Sequence, residues 1–218
     1  MIETTALLVV DMQYGDAHPD YGLLKAKRER GALAVAEVDY YVRRLNETVI
    51  PNIRRLQQAF RASGDEVIFV RIESLTADGR DRGPEHKAKG IHFPPGSIDG
   101  RILAEIEPQA DELVFSKTCG SAFPSTPLDY VLRNMGTRRL AVVGVVTGSC
   151  VQATACDALG RGFSVVVVED ATASWSDAMQ ATAIEHLRQR GAGVLSTEAV
   201  LRLRTEGAAL PGRPVAPR

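Results

Sequence analysis

Leu7-Leu8-Val9-Val10 and Val165-Val166-Val167-Val168 are unbroken apolar runs, and their reading decides the fold. A strand with one wet face alternates apolar and polar residues, whereas a strand buried on both faces does not. Continuous runs therefore predict strands inside a parallel sheet that carries helices on either side. Working outward from these two, β-type runs occur in order over residues 6–10, 66–71, 112–115, 140–144, 164–168 and 193–196.

Helical patterns separate the strands. Val49, Ile53, Leu56 and Phe60 recur at helical spacing, with Arg54, Arg55 and Arg61 off that face. Pro51 suits the first turn of this helix, and Ala62-Ser63-Gly64 closes it. Thr126-Pro127 opens a helix over 128–134, before Gly136. Residues 150–159 are rich in alanine, which lets a helix lie close to a sheet, and 177–190 form the last long helix. Strand alternating with helix predicts a three-layer α/β/α, Rossmann-like architecture. Residues 1–205 are expected to form one domain, and 206–218, with Pro211, Pro214 and Pro217, a disordered tail. Residues 14–39 and 74–100 show no clear period. Connections this long serve either as lids and binding loops or as insertions for oligomer contacts.

Composition narrows the function. The chain has 218 residues, with Lys+Arg 26 against Asp+Glu 27 and a net charge of −1. There is no basic excess to neutralise phosphates, which disfavours nucleic-acid binding. No apolar run has the length of a membrane span. Met1-Ile2-Glu3-Thr4-Thr5 leads straight into a strand without a signal-peptide pattern, so the cytoplasm is the expected location. The 3 cysteines form neither a disulfide framework nor a zinc motif.

Ligands of an open parallel sheet bind outside the carboxyl ends of its strands, where strand order reverses. The polar residues just after the predicted strands are Asp11, then Arg71 and Glu73, then Lys117, then the segment leading to Cys150, then Glu169 and Asp170. Cys150 opens a predicted helix. The positive end of the helix dipole is expected to lower its pKa, and free N–H groups there can stabilise an oxyanion. The alternative is a buried cysteine acting as a small hydrophobe. Asp11 ends an apolar strand and needs a partner, which Lys117 at a neighbouring strand end can supply. That pair is either structural or, with Cys150, a base, stabiliser and nucleophile for acyl transfer.

Three motifs in order carry a family resemblance. Leu7-Leu8-Val9-Val10-Asp11-Met12-Gln13 resembles the opening of the isochorismatase-like cysteine hydrolases. Phe115-Ser116-Lys117-Thr118-Cys119-Gly120-Ser121-Ala122-Phe123 is similar to their lysine motif. The stretch from Gly144-Val145-Val146-Thr147-Gly148-Ser149-Cys150 to Ala158 is similar to their nucleophile motif, and Val168-Glu169-Asp170-Ala171-Thr172 to their segment after strand five. The resemblance implies a six-stranded parallel sheet ordered 3-2-1-4-5-6 and a catalytic Asp11, Lys117 and Cys150. It also implies a cis peptide at Val145-Val146 and an oxyanion hole from the Val146 and Cys150 N–H groups. A homodimer or homotetramer is the usual assembly.

Possession of Cys150 favours C–N hydrolysis over vinyl-ether cleavage. The nicotinamidase metal motif has no counterpart in Val70-Arg71-Ile72-Glu73-Ser74-Leu75, so neither metal nor cofactor is expected. The group most resembled hydrolyses small carbamoyl and ureido compounds, such as N-carbamoylsarcosine, biuret, triuret and ureidoacrylate. Tyr14, Phe123, Thr147 and Trp175 are candidate pocket residues, and the aromatic three also have an ordinary core reading. Cys119 either faces the pocket or packs as a neutral residue. Arg71 and Glu73 either bind substrate or pair with each other. A Cys–His dyad through His18 or His92, a Cys119–Cys150 redox pair and a non-catalytic assembly subunit are the competing readings.

Overall fold

The computed structural model describes residues 4–31 and 34–212. Its centre is a six-stranded sheet of β1 (Thr4–Val10), β2 (Glu66–Ile72), β3 (Val114–Lys117), β4 (Thr137–Val145), β5 (Ser164–Ala173) and β6 (Gly193–Leu195). The order is β3-β2-β1-β4-β5-β6 and every pairing is parallel. The unbroken runs behave as their composition demands, since Ala6 to Val10 have no exposed surface. Successive side chains point to opposite faces. Leu7 and Val9 join Phe69, Ala141 and Val143 under one helical layer, while Leu8 and Val10 join Ile68, Val70 and Val142 under the other.

The helices are α1 (Tyr14–Ala17), α2 (Gly22–Glu29), α3 (Val35–Arg44), α4 (Ile50–Ala62), α5 (Pro84–Ala88), α6 (Leu128–Asn134), α7 (Gln152–Gly160), α8 (Asp177–Gln189) and α9 (Thr197–Thr205). Ile53, Leu56 and Phe60 of α4 and Val200 of α9 cover the first face. Leu128 and Leu132 of α6, Ala155 and Ala158 of α7, and Ile184 and Leu187 of α8 cover the second. Neighbours of β1 are added in one direction as far as β3, and then β4 is laid on its other side. The carboxyl ends of β1 and β4 therefore flank the crevice where the sheet reverses.

The structure departs from the sequence expectations in three places. Residues 14–39 contain α1, α2 and the start of α3. Their apolar stripe is thin, for Leu24 is the only buried residue of α2, and so periodicity missed them. Pro51 lies in the first turn of α4, but the helical path does not begin there. It arrives from α3 through a π-turn, Leu45–Val49, in which the Ile50 N–H reaches the Leu45 carbonyl. Proline has no N–H to continue the α-helical ladder, and the widened turn accommodates it. The tail expected after residue 205 stays packed as far as Leu210, which is 2% exposed and joins the first core face. Residues 213–218, with Pro214 and Pro217, lie outside the described residues.

Gly144 lets β1 and β4 approach at the crevice. Its φ is +111°, and a Cβ there would strike the Val10 carbonyl oxygen. Both the left-handed backbone and the backbone clash oppose any side chain. Gly144→Ala is expected to destabilise the fold by at least about 2 kcal/mol, lowering Tm by about 5 °C or more. An unchanged thermal midpoint would show that the two strands separate freely at this point.

Candidate active site

Asp11 follows β1 and is the one non-glycine residue with positive φ, +52°, among the described residues. Its N–H still bonds the Val70 carbonyl at 2.8 Å, so the chain turns without leaving the sheet. Aspartate tolerates this conformation better than bulky residues do. The turn leaves Asp11 1% exposed.

Lys117 is the last residue of β3 and has no exposed surface. It is not at a strand end neighbouring Asp11, as expected, because β2 lies between them. Two strand spacings of about 4.8 Å separate the backbones, a gap that only a long side chain crosses. The lysine stem crosses it, placing Nζ 3.0 Å from Asp11 Oδ2. The same ammonium donates to the Cys119 carbonyl at 3.0 Å and to Cys150 Sγ at 3.3 Å. The three residues that the sequence singled out thus meet around one buried cation.

Cys150 is 8% exposed and lies in a π-turn, Thr147–Val151, between β4 and α7. The peptide before this turn, Val145–Val146, is cis. The Val146 carbonyl accepts the Ser149 N–H at 2.9 Å, which tightens the loop. Thr147 Oγ1 donates to Gln180 Oε1 at 2.7 Å, and Gln180 Nε2 donates to Thr172 Oγ1 at 2.9 Å, tying the loop to α8 and β5.

Burial is the largest influence on all three ionisable groups. It raises Asp11 above the usual carboxylate range, against the pull of Lys117. It opposes the Lys117 charge, yet Asp11 and Cys150 together outweigh it and hold the ammonium protonated. Burial pushes the Cys150 thiol up to about 12; Lys117 works against this and Asp11 adds to it. The lowered thiol pKa expected of a helix N-terminus is therefore not found. The dry surroundings and the adjacent carboxylate keep the proton on sulfur in the resting site.

A cavity of about 490 Å³ opens onto Asp11 and Cys150. Val145, Val146, Ile72, Ile91 and Trp175 supply much of its apolar wall. Trp175 is held by the Tyr41 ring, with centroids 4.3 Å apart. The other expected pocket residues lie elsewhere. Tyr14 lines a separate groove with Arg71 and Arg101. Phe123 packs beside Phe163 in the second core face, and Thr147 is fully buried by its bond to Gln180.

Cys119 presents its carbonyl rather than its thiol to Lys117, and its Sγ bonds the Ser121 carbonyl and Ser125 Oγ. Arg71 and Glu73 pair with each other at 2.6 Å. No histidine of the described residues lines the cavity. His18 stacks with Tyr14 and Tyr21, and His86 is buried, with its pKa lowered to about 4 by burial and by Lys117. Among the described residues no cluster of histidine, cysteine and carboxylate side chains is placed to hold a metal ion.

Sequence reading did not find Asp16, Lys27, Arg30, Lys89 and Met179, which also line the cavity. They come from α1, the end of α2, the 74–100 connection and α8, and in the sequence the four charged ones look like those of any solvated face.

Among the described residues no helix is long and apolar enough to cross a membrane. The chain matches the model of the isochorismatase domain over residues 5–199. It is similar to the solved cysteine hydrolase from Pseudomonas syringae pv. phaseolicola 1448A, with 26% identity, 94% of each chain covered and a TM-score of 0.78. Against N-carbamoylsarcosine amidase from Thermoplasma acidophilum it is 29% identical, over 89% of this chain and 97% of that one, with a TM-score of 0.68. Against the pyrazinamidase/nicotinamidase from Streptococcus mutans UA159 the values are 26%, 88% and 100%, and 0.71. The motifs, the strand order and these matches agree, and the chain belongs to the isochorismatase domain family.

Proposed function

We propose that this protein is a metal-independent cysteine amidohydrolase that cleaves the C–N bond of a small carbamoyl or ureido compound through a thioester on Cys150. The observation that carries this reading is the buried Lys117 ammonium, 3.0 Å from Asp11 and 3.3 Å from Cys150, two residues that line the cavity.

In this mechanism Asp11 takes the thiol proton as Cys150 Sγ attacks the substrate carbonyl carbon. Lys117 stabilises the negative charge that passes from carboxylate to sulfur. The Val146 and Cys150 N–H groups receive the oxyanion of the tetrahedral intermediate. The protonated Asp11 then gives its proton to the departing nitrogen, which leaves as ammonia or an amine. Water enters, Asp11 removes its proton, and attack on the thioester frees the acid and restores the thiol. The proton taken from Cys150 thus leaves on the nitrogen in the first half-reaction, and a proton from water, carried by Asp11, replaces it on sulfur in the second.

The named activity of the N-carbamoylsarcosine amidase relative supports a carbamoyl substrate, and that of the pyrazinamidase/nicotinamidase relative supports an aromatic amide as the alternative. An ammonia-release screen over N-carbamoyl amino acids, ureidoacrylate, biuret, triuret, nicotinamide and simple amides separates the two. Silence across the whole panel would favour a binding or assembly subunit.

Cys150→Ser is expected to keep the fold and lose at least about a thousandfold in kcat, since a serine hydroxyl is too weak an acid for Asp11 to activate. Retention of more than about a tenth of kcat would rule out a thiolate nucleophile. Lys117→Ala is expected to cost at least about 100-fold in kcat. It also removes the largest charge effect on Cys150, the one that lowers its pKa. Inactivation by iodoacetamide is therefore expected to be slower than in the parent at every pH from about 7 to 10. An unchanged inactivation profile with near-normal turnover would place Lys117 outside the chemistry.

A further inference from the structure

The cavity carries an acid and two cations that the reaction itself does not require, and burial, with Asp11 nearby, raises the acid, Asp16, well above the usual carboxylate range. Asp16, on α1, lies inside it and is 8% exposed. Its Oδ2 is fully buried and has no hydrogen-bond partner among the described residues. An orphaned buried carboxyl oxygen costs stability, so its natural complement is a donor brought in from outside. Lys27 and Arg30 line the same cavity and are more exposed than Asp16. They are three residues apart at the end of α2, so their side chains share one face.

Lys27 is half-buried with Nζ 4.5 Å over the Trp175 ring, and Arg30 is exposed. Neither forms an ion pair with a carboxylate among the described residues. Lys89, which also lines the cavity, already has Glu85 at 2.6 Å. Burial and the charge of Lys89 pull the Lys27 ammonium below its ordinary pKa. An anion at this point would relieve both effects.

We propose, resting on the amidohydrolase reading above, that the cavity selects a ureido or carbamoyl acid, with Asp16 accepting a substrate N–H in the interior and Lys27 and Arg30 binding the carboxylate at the other end. The ligand matches these residues: its hydrogen-bond donors meet the buried Asp16 and its anion meets the more exposed Lys27 and Arg30. A volume of about 490 Å³ holds a molecule of this size. A neutral urea would meet Asp16 but leave the two cations without a partner. Asp16 is a specificity residue here, separate from the base Asp11, because Asp11 pairs with Lys117 at 3.0 Å and Asp16 forms no ion pair among the described residues.

The test uses the full chain carrying Cys150→Ser, so that binding is measured apart from turnover. Calorimetric titrations compare 3-ureidopropionate with propylurea, which keeps the ureido end and lacks the carboxylate. At low ionic strength the acid is expected to bind at least about tenfold more tightly. Adding Lys27→Met and Arg30→Met, which keep unbranched stems and remove the charges, is expected to abolish that preference and leave propylurea binding unchanged. Adding Asp16→Ala is expected to weaken both ligands at least about tenfold without lowering Tm, because no hydrogen bond of Oδ2 within the protein is lost.

Equal affinities for the two ligands would overturn the proposal. So would no binding of 3-ureidopropionate at millimolar concentration, a preference that survives removal of both cations, or unaltered binding in the Asp16→Ala protein. A binding preference that follows the variants as expected, with no ammonia released by the parent protein from any amide, would support the ligand assignment and overturn the proposed reaction.

Discussion

A lysine with no exposed surface has to find its countercharge within the protein, and at Lys117 that requirement governs the site. Removing an ammonium from water carries a penalty of several kcal/mol, which is offset only where an acid and further acceptors converge on it. Asp11, the Cys119 carbonyl and Cys150 Sγ provide that set. Their positions depend on one another. Asp11 needs the left-handed turn after β1, Cys150 needs the π-turn after β4, and Lys117 needs β3 at a distance that its stem can span. Removing the ammonium would leave a buried carboxylate beside a buried thiol with no cation between them.

The core of this arrangement was legible in the sequence because it follows from a few strong patterns. Continuous runs such as Val165 to Val168 mark strands covered on both faces, and polar residues just beyond such runs mark the functional edge of an open sheet. Asp11, Lys117 and Cys150 all fall at that edge. The strand order was not legible from periodicity and came from the motif resemblance. Periodicity alone therefore could not show that a whole strand separates Lys117 from Asp11.

The cavity wall was legible only in part. Trp175 follows β5 closely enough to be inferred, but Thr147 and Phe123 are taken up by the loop and by the core. Several lining residues come from short segments with few buried side chains, where Leu24 alone anchors a helix and Lys27 looks like an ordinary surface charge. The Cys150 pKa was misjudged for a related reason. A helix terminus can be recognised in a sequence, whereas the extent of burial and the approach of a carboxylate are properties of the assembled fold.

The origin of Lys117 on β3 bears on how the site fails. β3 is an edge strand of 4 residues, and its first residue, Val114, is 37% exposed. Short edge elements open locally at lower free energy than the centre of a sheet. When β3 detaches, the ammonium leaves with it, while β1 and β4 keep Asp11 and Cys150 in place. Loss of the Lys117–Asp11 ion pair under mild denaturant should then precede global unfolding and track amide exchange of residues 114–117, so that the periphery of the sheet sets how long the cluster at its centre stays assembled.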